Sequence, residues 1–173
     1  MTKPSIISQS KLDQSTLIKH LYYNSGTGLF SWANGRVGAS KGATAGHKRD
    51  SGYIVIRVLN TLYKAHRLAV LYMTGAWPKE QVDHINHIRD DNRWVNLREV
   101  SGRENSRNQI MSKFNKSGFT GVFFCAKNKR WQANVRVENN KSKFLGYFDS
   151  FEDAVLARKA ANIKYGYHAN HGL

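Results

Sequence analysis

A single cysteine, Cys125, stands among the 173 residues. No internal disulfide can form, and a cysteine-rich zinc knuckle is excluded. Any metal would have to be held by oxygen and nitrogen. No run approaches the ~18 apolar residues of a membrane span. The opening MTKPSIISQSK also lacks the apolar core of a signal peptide. A protein without either stays where it is made, in the cytoplasm, with no membrane as partner. Acidic residues are scarce too: 12 Asp and Glu face 27 Lys and Arg, for a formal net charge of +15. Such an excess names a polyanion as the partner. The glycine-rich stretch NGRVGASKGATAG matches no phosphate-loop spacing, so it reads as loops and not as a nucleotide site.

What is present suffices for a modest core, since 40% of the residues are hydrophobic and the length suits one ordinary domain or two small ones. The charge is unevenly placed. Residues 1–60 carry 8 basic and 2 acidic groups, 61–112 carry 8 and 6, and 113–173 carry 11 and 4. The flanks are strongly basic while the middle keeps its carboxylates. Phosphate-neutralising arms around a metal-binding centre have this distribution. A generally basic RNA-binding protein has it as well.

Along the chain, residues 10–23 read as a short helix, with Leu17, Ile18, Leu21 and Tyr22 on one face and Ser10 and Asp13 as capping groups. Strands and turns follow: LFSW after an SGTG turn, then YIVIRVL, an Asn60-Thr61 turn and LYKA. The segment HRLAVLYMTGAWP places Leu68, Leu71 and Tyr72 at helical spacing and ends in Gly75 and Pro78, a helix stop. His66, at the strand-to-helix junction, is either a ligand or a satisfied structural histidine.

Residues 82–105, VDHINHIRDDNRWVNLREVSGREN, concentrate the chemistry. Asp83 and His84 are adjacent, Asn96 follows twelve residues after His84, and Asn105 nine after that. Residues 81–85 suit a short strand, RDDNR a turn, and WVNLREV a returning strand. Ser101 and Glu104 form a capping box, so that a helix begins near Gly102 with Asn105 in its first turns. A helix starting there can direct Asn105 back at the strand that carries Asp83. An imidazole with an unperturbed pKa near 6.5 suits a general base. A carboxylate and a neutral amide oxygen suit a hard, largely hydrated divalent cation.

The spacing resembles that of the HNH (ββα-metal) nucleases, in the Asp-His…Asn…Asn variant of phage and intron homing endonucleases. The lead-in, YKAHRLA followed by a helix, GxxP and VDH, is similar to one phage HNH subfamily. The resemblance implies a strand-loop-strand-helix unit that hydrolyses a phosphodiester. It makes His84 the general base, and Asp83 and Asn105 the ligands of one Mg²⁺ or Mn²⁺ ion. Asn96 would hold the loop and align the His84 imidazole. His87 either approaches the phosphate or faces solvent. Arg93, Arg103 and Arg107 are candidate phosphate contacts beside the site, as is Arg89.

After a charged linker, the strings FTGVFFCAKN, KRWQANVRVENN and KSKFLGYFD read as three short strands, followed by a helix from about Phe151 to Tyr165 capped by Ser150 and Asp153. Ala154, Val155, Ala157 and Ala161 give that helix a flat face for a sheet. Residues 118–165 resemble the ethylene-response-factor (APETALA-type) DNA-binding domain. The resemblance is carried by Gly118, Thr120-Gly121-Val122, Arg130-Trp131-Gln132-Ala133, Leu145-Gly146-Tyr147-Phe148 and Phe151-Glu152-Asp153-Ala154-Val155. It implies a sheet in the major groove, with Trp131 and Arg136 at DNA-facing positions; Trp131 is alternatively a packed sheet aromatic. Lys127, Lys129, Arg130, Lys141 and Lys143 are candidate phosphate contacts. Two arginines of the family's first strand are missing, with Thr120 and Phe123 near those places, so no base preference transfers.

The expected fold class is α+β. A central ββα-metal unit with an N-terminal helix and β-hairpins precedes a small three-stranded antiparallel sheet packed on one helix. The expected domains are a nuclease domain over 1–110 with its core at about 80–110, a linker over 111–117 and a DNA-binding domain over 118–173. The expected function is site-specific cleavage of double-stranded DNA by a monomer that nicks, in a bacterial cell if phage-encoded. The alternatives are a DNA-binding regulator with a decayed site and an RNA-binding protein.

Overall fold

The computed structural model describes residues 12–137 and 141–172, with the backbone alone of Arg103. Small antiparallel sheets and short helices make an α+β fold, as the strand and helix patterns anticipate. The chain divides into two compact units, Met1–Gly102 and Arg103–Leu173.

In the first unit, Asp13 caps α1 (Gln14–His20) by accepting from the Thr16 amide at 2.8 Å. Ser10, the other expected cap, lies outside the described residues. The helix ends earlier than anticipated, because residues 21–23 switch to a period of two. Leu21 and Tyr23 are buried while Tyr22 is exposed, as strand β1 (Leu21–Tyr23) requires. It pairs with β2 (Phe30–Trp32) across a turn in which the Asn24 side chain accepts from the amides of Gly26 and Thr27.

A second sheet joins β3 (His47–Lys48), β4 (Ile54–Val58) and β5 (Thr61–Lys64), and the β4–β5 turn places Leu59 and Asn60 at positive φ. Helix α2 (Ala65–Thr74) stops at Gly75 in the left-handed region, whose amide returns to the Leu71 carbonyl. Leu17, Leu21, Phe30, Ile56, Val58, Leu68 and Leu71 share one core. Each such side chain contributes on the order of 1.5–3 kcal/mol by leaving water. Long-range bonds tie the unit together: Trp77 Nε1 donates to the Leu12 carbonyl at 2.8 Å and Gln14 Nε2 to the Tyr72 carbonyl at 2.7 Å.

Strand β6 (Gln81–His84) pairs antiparallel with β7 (Leu97–Val100). Trp94–Asn96 form a single 3-10 turn and not the start of the returning strand. Helix α3 (Gly102–Ser106) begins where the capping pattern places it and carries the chain across the unit boundary.

The second unit is a sheet of order β10-β9-β8, formed by β8 (Val122–Cys125), β9 (Arg130–Arg136) and β10 (Ser142–Phe148), packed on α4 (Phe151–Lys164). Ser150 caps α4 by accepting from the Asp153 amide at 3.0 Å and donates to its carboxylate at 2.8 Å. Residues 107–109 belong here because the His168 amide donates to the Arg107 carbonyl at 3.1 Å and the Gly172 amide to the Gln109 carbonyl at 2.8 Å. Among the described residues no helix is long and apolar enough to cross a membrane.

Candidate active site

The register of β6 on β7 sets the centre. Asp83 sits opposite Arg98, and Arg98 donates to Asp83 Oδ2 from Nη2 at 2.9 Å and from Nε at 3.2 Å. An opposite-charge pair directly across two strands is the sheet counterpart of a helical i,i+4 pair. His84 sits opposite Leu97, one residue further along the alternation, and turns into the unit with 4% of its surface exposed. Burial pushes its pKa down, while a hydrogen bond to Asn92 and the carboxylates of Asp83, Asp91 and Asp90 oppose that shift. A neutral imidazole able to accept a proton is what remains at neutral pH.

The loop between the strands is held by amides. Asn96 Oδ1 accepts from the Asn86 amide at 3.0 Å, and its Nδ2 donates to the Asp91 carbonyl at 2.7 Å. Asn96 therefore spans the loop. The described bond to the imidazole, however, comes from Asn92, whose Oδ1 lies 3.1 Å from His84 Nε2. Both ends of the Asn96 side chain thus engage backbone of the loop, while Asn92 contacts the ring. Sequence reading missed Asn92 because RDDNR presents itself as turn chemistry. Arg93, a candidate phosphate contact, is paired with a carboxylate of the loop. It binds Asp91 bidentately at 2.8 and 2.6 Å, and that pairing first, with Asn86 adding to it, holds the Asp91 carboxyl at about 2. His87 takes a positive φ of 65° in the loop, its amide donating to the His84 carbonyl.

One wall of the site comes from upstream. His66 is buried at 4% exposure, and its ring lies against those of His84 and Tyr53. Its Nδ1 finds no hydrogen-bond partner among the described residues. Lys64 Nζ lies 4.3 Å from the Tyr53 ring centroid and the Arg89 guanidinium 5.2 Å from it, while Tyr53 is 6.0 Å from His84. Burial, then the charges of Arg67 and Arg89, lower the Lys64 pKa. These two cations over the Tyr53 ring suit a bound phosphate. Lys64 went unnoticed in the sequence because it reads as the end of a strand.

Asn105 lies in α3 and Arg107 just after it, both in the second unit, and the Arg107 guanidinium lies 5.6 Å from the Tyr167 ring centroid. For Arg103 only the backbone, in α3, is described. On the C-terminal sheet the strand alternation sorts the expected DNA contacts. Trp131, Ala133 and Val135 form one set, and Trp131 packs on Phe151 at 4.8 Å between centroids and on the core beside α4. Of the two readings of Trp131, this packing matches the sheet aromatic. Lys143 pairs with Val135 in register and donates to the Tyr165 hydroxyl at 3.1 Å. Arg130 and Arg136 alternate to the other face with Gln132 and Asn134, and Arg130 pairs with Asp149 at 2.8 Å. Lys127 and Lys129 are exposed on the β8–β9 turn, and Lys141 is exposed just before β10.

Among the described residues no group of three or more His, Cys, Asp or Glu is placed to hold a metal ion. The donor chemistry nevertheless fits a hard cation that keeps most of its water: one carboxylate, Asp83, with amide oxygens and no thiolate.

Residues 63–107, from β5 through α3, match a family model described as HNH endonuclease. By that match the chain is an enzyme of the nuclease class. A solved structure described as "DNA binding and cleavage by the HNH homing endonuclease I-HmuI" aligns over 88% of this chain and 90% of that chain, at 19% sequence identity and a TM-score of 0.41. Comparison with curated proteins finds no match.

Proposed function

We propose that the chain is a metal-dependent, site-recognising DNA endonuclease of the homing type that nicks as a monomer. One observation carries this reading: within the segment that matches the HNH family, Asp83 and His84 are consecutive on β6, the carboxylate fixed by Arg98 and the buried imidazole by Asn92. A hard acid ligand beside a pre-oriented base is what in-line hydrolysis of a phosphodiester needs.

In the proposed reaction His84 takes a proton from a water molecule as its oxygen attacks phosphorus. The bond to the 3′ oxygen breaks, and that oxygen is protonated from solvent. A divalent cation, Mg²⁺ or Mn²⁺, supplies charge stabilisation to the phosphate and the leaving oxygen when bound. Asp83 offers it a carboxylate oxygen, and Asn105 is assigned the amide ligand on its sequence position. Asn96 keeps the β6–β7 loop in shape. Lys64 and Arg89 neutralise backbone phosphate, and His87 is an auxiliary contact. The C-terminal unit is assigned to duplex DNA binding of APETALA type, with Arg130, Arg136, Lys127, Lys129 and Lys143 as contacts, and the enzyme to the cytoplasm.

The test is incubation of supercoiled plasmid libraries with protein and Mg²⁺ or Mn²⁺. Wild type converts a target plasmid to the open circle, chelation with EDTA abolishes this, and His84→Ala is at least ~100-fold slower. Equal inertness of wild type and variant across metals and targets defeats the reading. The Arg98–Asp83 pair, which competes with a cation for the carboxylate, favours a decayed site as the second reading. DNA binding with no cleavage in any metal would support it.

A further inference from the structure

We infer that Asn92, clamped by the turn over residues 23–28, is the positioning residue of His84, fixing the imidazole as its Nε2–H tautomer and leaving Nδ1 as the basic nitrogen. The orientation of the amide carries the argument. Asn92 Nδ2 donates to the Asp90 carbonyl at 3.3 Å, which turns Oδ1 toward His84 Nε2 at 3.1 Å. An amide oxygen can only accept, so the ring nitrogen facing it must carry the hydrogen. Asn92 is 2% exposed, which leaves the side chain little room to turn over.

Its backbone is held just as closely. The buried Tyr23 hydroxyl donates to the Asn92 carbonyl at 2.6 Å, and the Trp94 amide donates to the Ser25 carbonyl at 2.9 Å. Gly28, at φ 75°, lies so close that a Cβ there would come within 2.4 Å of Asn92 C and Arg93 N. Burial raises the Tyr23 hydroxyl to about 12, which keeps it a donor at any working pH. Three contacts from one turn thus fix the stretch that fixes the base. Tyr23, Ser25 and Gly28 all lie outside the segment 63–107 that matches the nuclease family. The assignment deepens the proposed nuclease reading, but its spectroscopic arm is independent of catalysis.

The experiment has two arms on the full-length chain. Long-range ¹H–¹⁵N spectra at about pH 8, with His84 identified by its loss in His84→Gln, should show the Nε2–H pattern in wild type. Asn92→Ala should shift His84 to a tautomer mixture, and Asn92→Asp, which keeps an acceptor oxygen, should restore the wild-type pattern. In plasmid nicking, Asn92→Ala should lower kcat by about 10–100-fold, the usual cost of losing an outer-shell partner, with KM for DNA within about twofold. An Nδ1–H pattern in wild type overturns the inference even if Asn92→Ala does not fold. So does an Asn92→Ala protein with unchanged tautomer and kcat. If the spectra come out as expected but no DNA is cut, the positioning stands and the nuclease reading falls.

Discussion

The imidazoles of His66 and His84 meet edge to face, with centroids 4.9 Å apart and planes at 87°. Two histidines so close in a buried site cannot both be charged. Burial first, then the charges of His84, Lys64 and Arg67, push His66 from its ordinary 6.5 down to about 3. Between those values the unfolded chain binds a proton that the folded chain refuses. Stability is therefore complete above about pH 6.5 and is lost as pH falls through that window, by up to about 1.4 kcal/mol per unit. Urea denaturation at pH 7.5 and pH 5 should show wild type losing about 2 kcal/mol more than His66→Gln. Equal losses in the two proteins would refute a neutral buried His66.

Gly28 and Gly38 both take positive φ, 75° and 80°, but only Gly28 is crowded. A Cβ at 28 meets backbone at 2.4 Å, while one at 38 meets nothing within 4 Å. Gly38→Ala should cost about 1 kcal/mol from backbone conformation alone. Gly28→Ala should cost at least about 3 kcal/mol, since the loop carrying Asn92 must move as well. Denaturant midpoints compare the two, and similar values would show that the close approach has no energetic weight.

Arg158 is buried at 3% exposure in the second unit, where Nε donates to Asn162 Oδ1 at 2.8 Å and Nη1 to the Asn134 carbonyl. Its guanidinium also lies 5.0 Å from the Tyr167 ring centroid. Removing it leaves a partly buried strand carbonyl without its donor and empties a buried site, so Arg158→Met should destabilise by about 2–4 kcal/mol. Arg158→Lys should recover little, because a point charge cannot serve two directions at once. Full recovery by lysine, measured by thermal unfolding, would mean that charge alone suffices.

Lys127 and Lys129 are exposed on the β8–β9 turn while Trp131 is packed beside α4. If the lysines neutralise phosphates, replacing both by Gln should reduce the slope of log affinity against log salt by about 2. Trp131→Phe should instead leave duplex affinity within about twofold and lower the unfolding midpoint. A DNA-binding defect in Trp131→Phe without loss of stability would restore that residue to the DNA face.

Much of this arrangement is legible in the residues. Periodicity marks α2, the Gly75 stop, β6, α3 and the three-strands-and-helix order of the second unit. Asp83 and His84 stand out because their chemistry is rare at that spacing. The rest is tertiary. Nothing local distinguishes Asn92 from Asn96 as the partner of the imidazole, since both are asparagines in one loop and only the fold decides which amide has an end to spare. Arg98 becomes the partner of Asp83 only once the β6–β7 register is known. The packing of Trp131 beside α4 follows from strand alternation once the sheet is formed. Residues 21–23 follow the same lesson, as their apolar positions suit a helix until pairing with β2 supplies a better use.

The bond from Tyr23 to the Asn92 carbonyl bears on how such an enzyme can be cut down or recombined. The portable piece is larger than the stretch that carries the recognisable signature. A graft of residues 63–107 into another scaffold would bring the acid and the base but abandon the turn that braces them. A transplant beginning ahead of α1 would carry both.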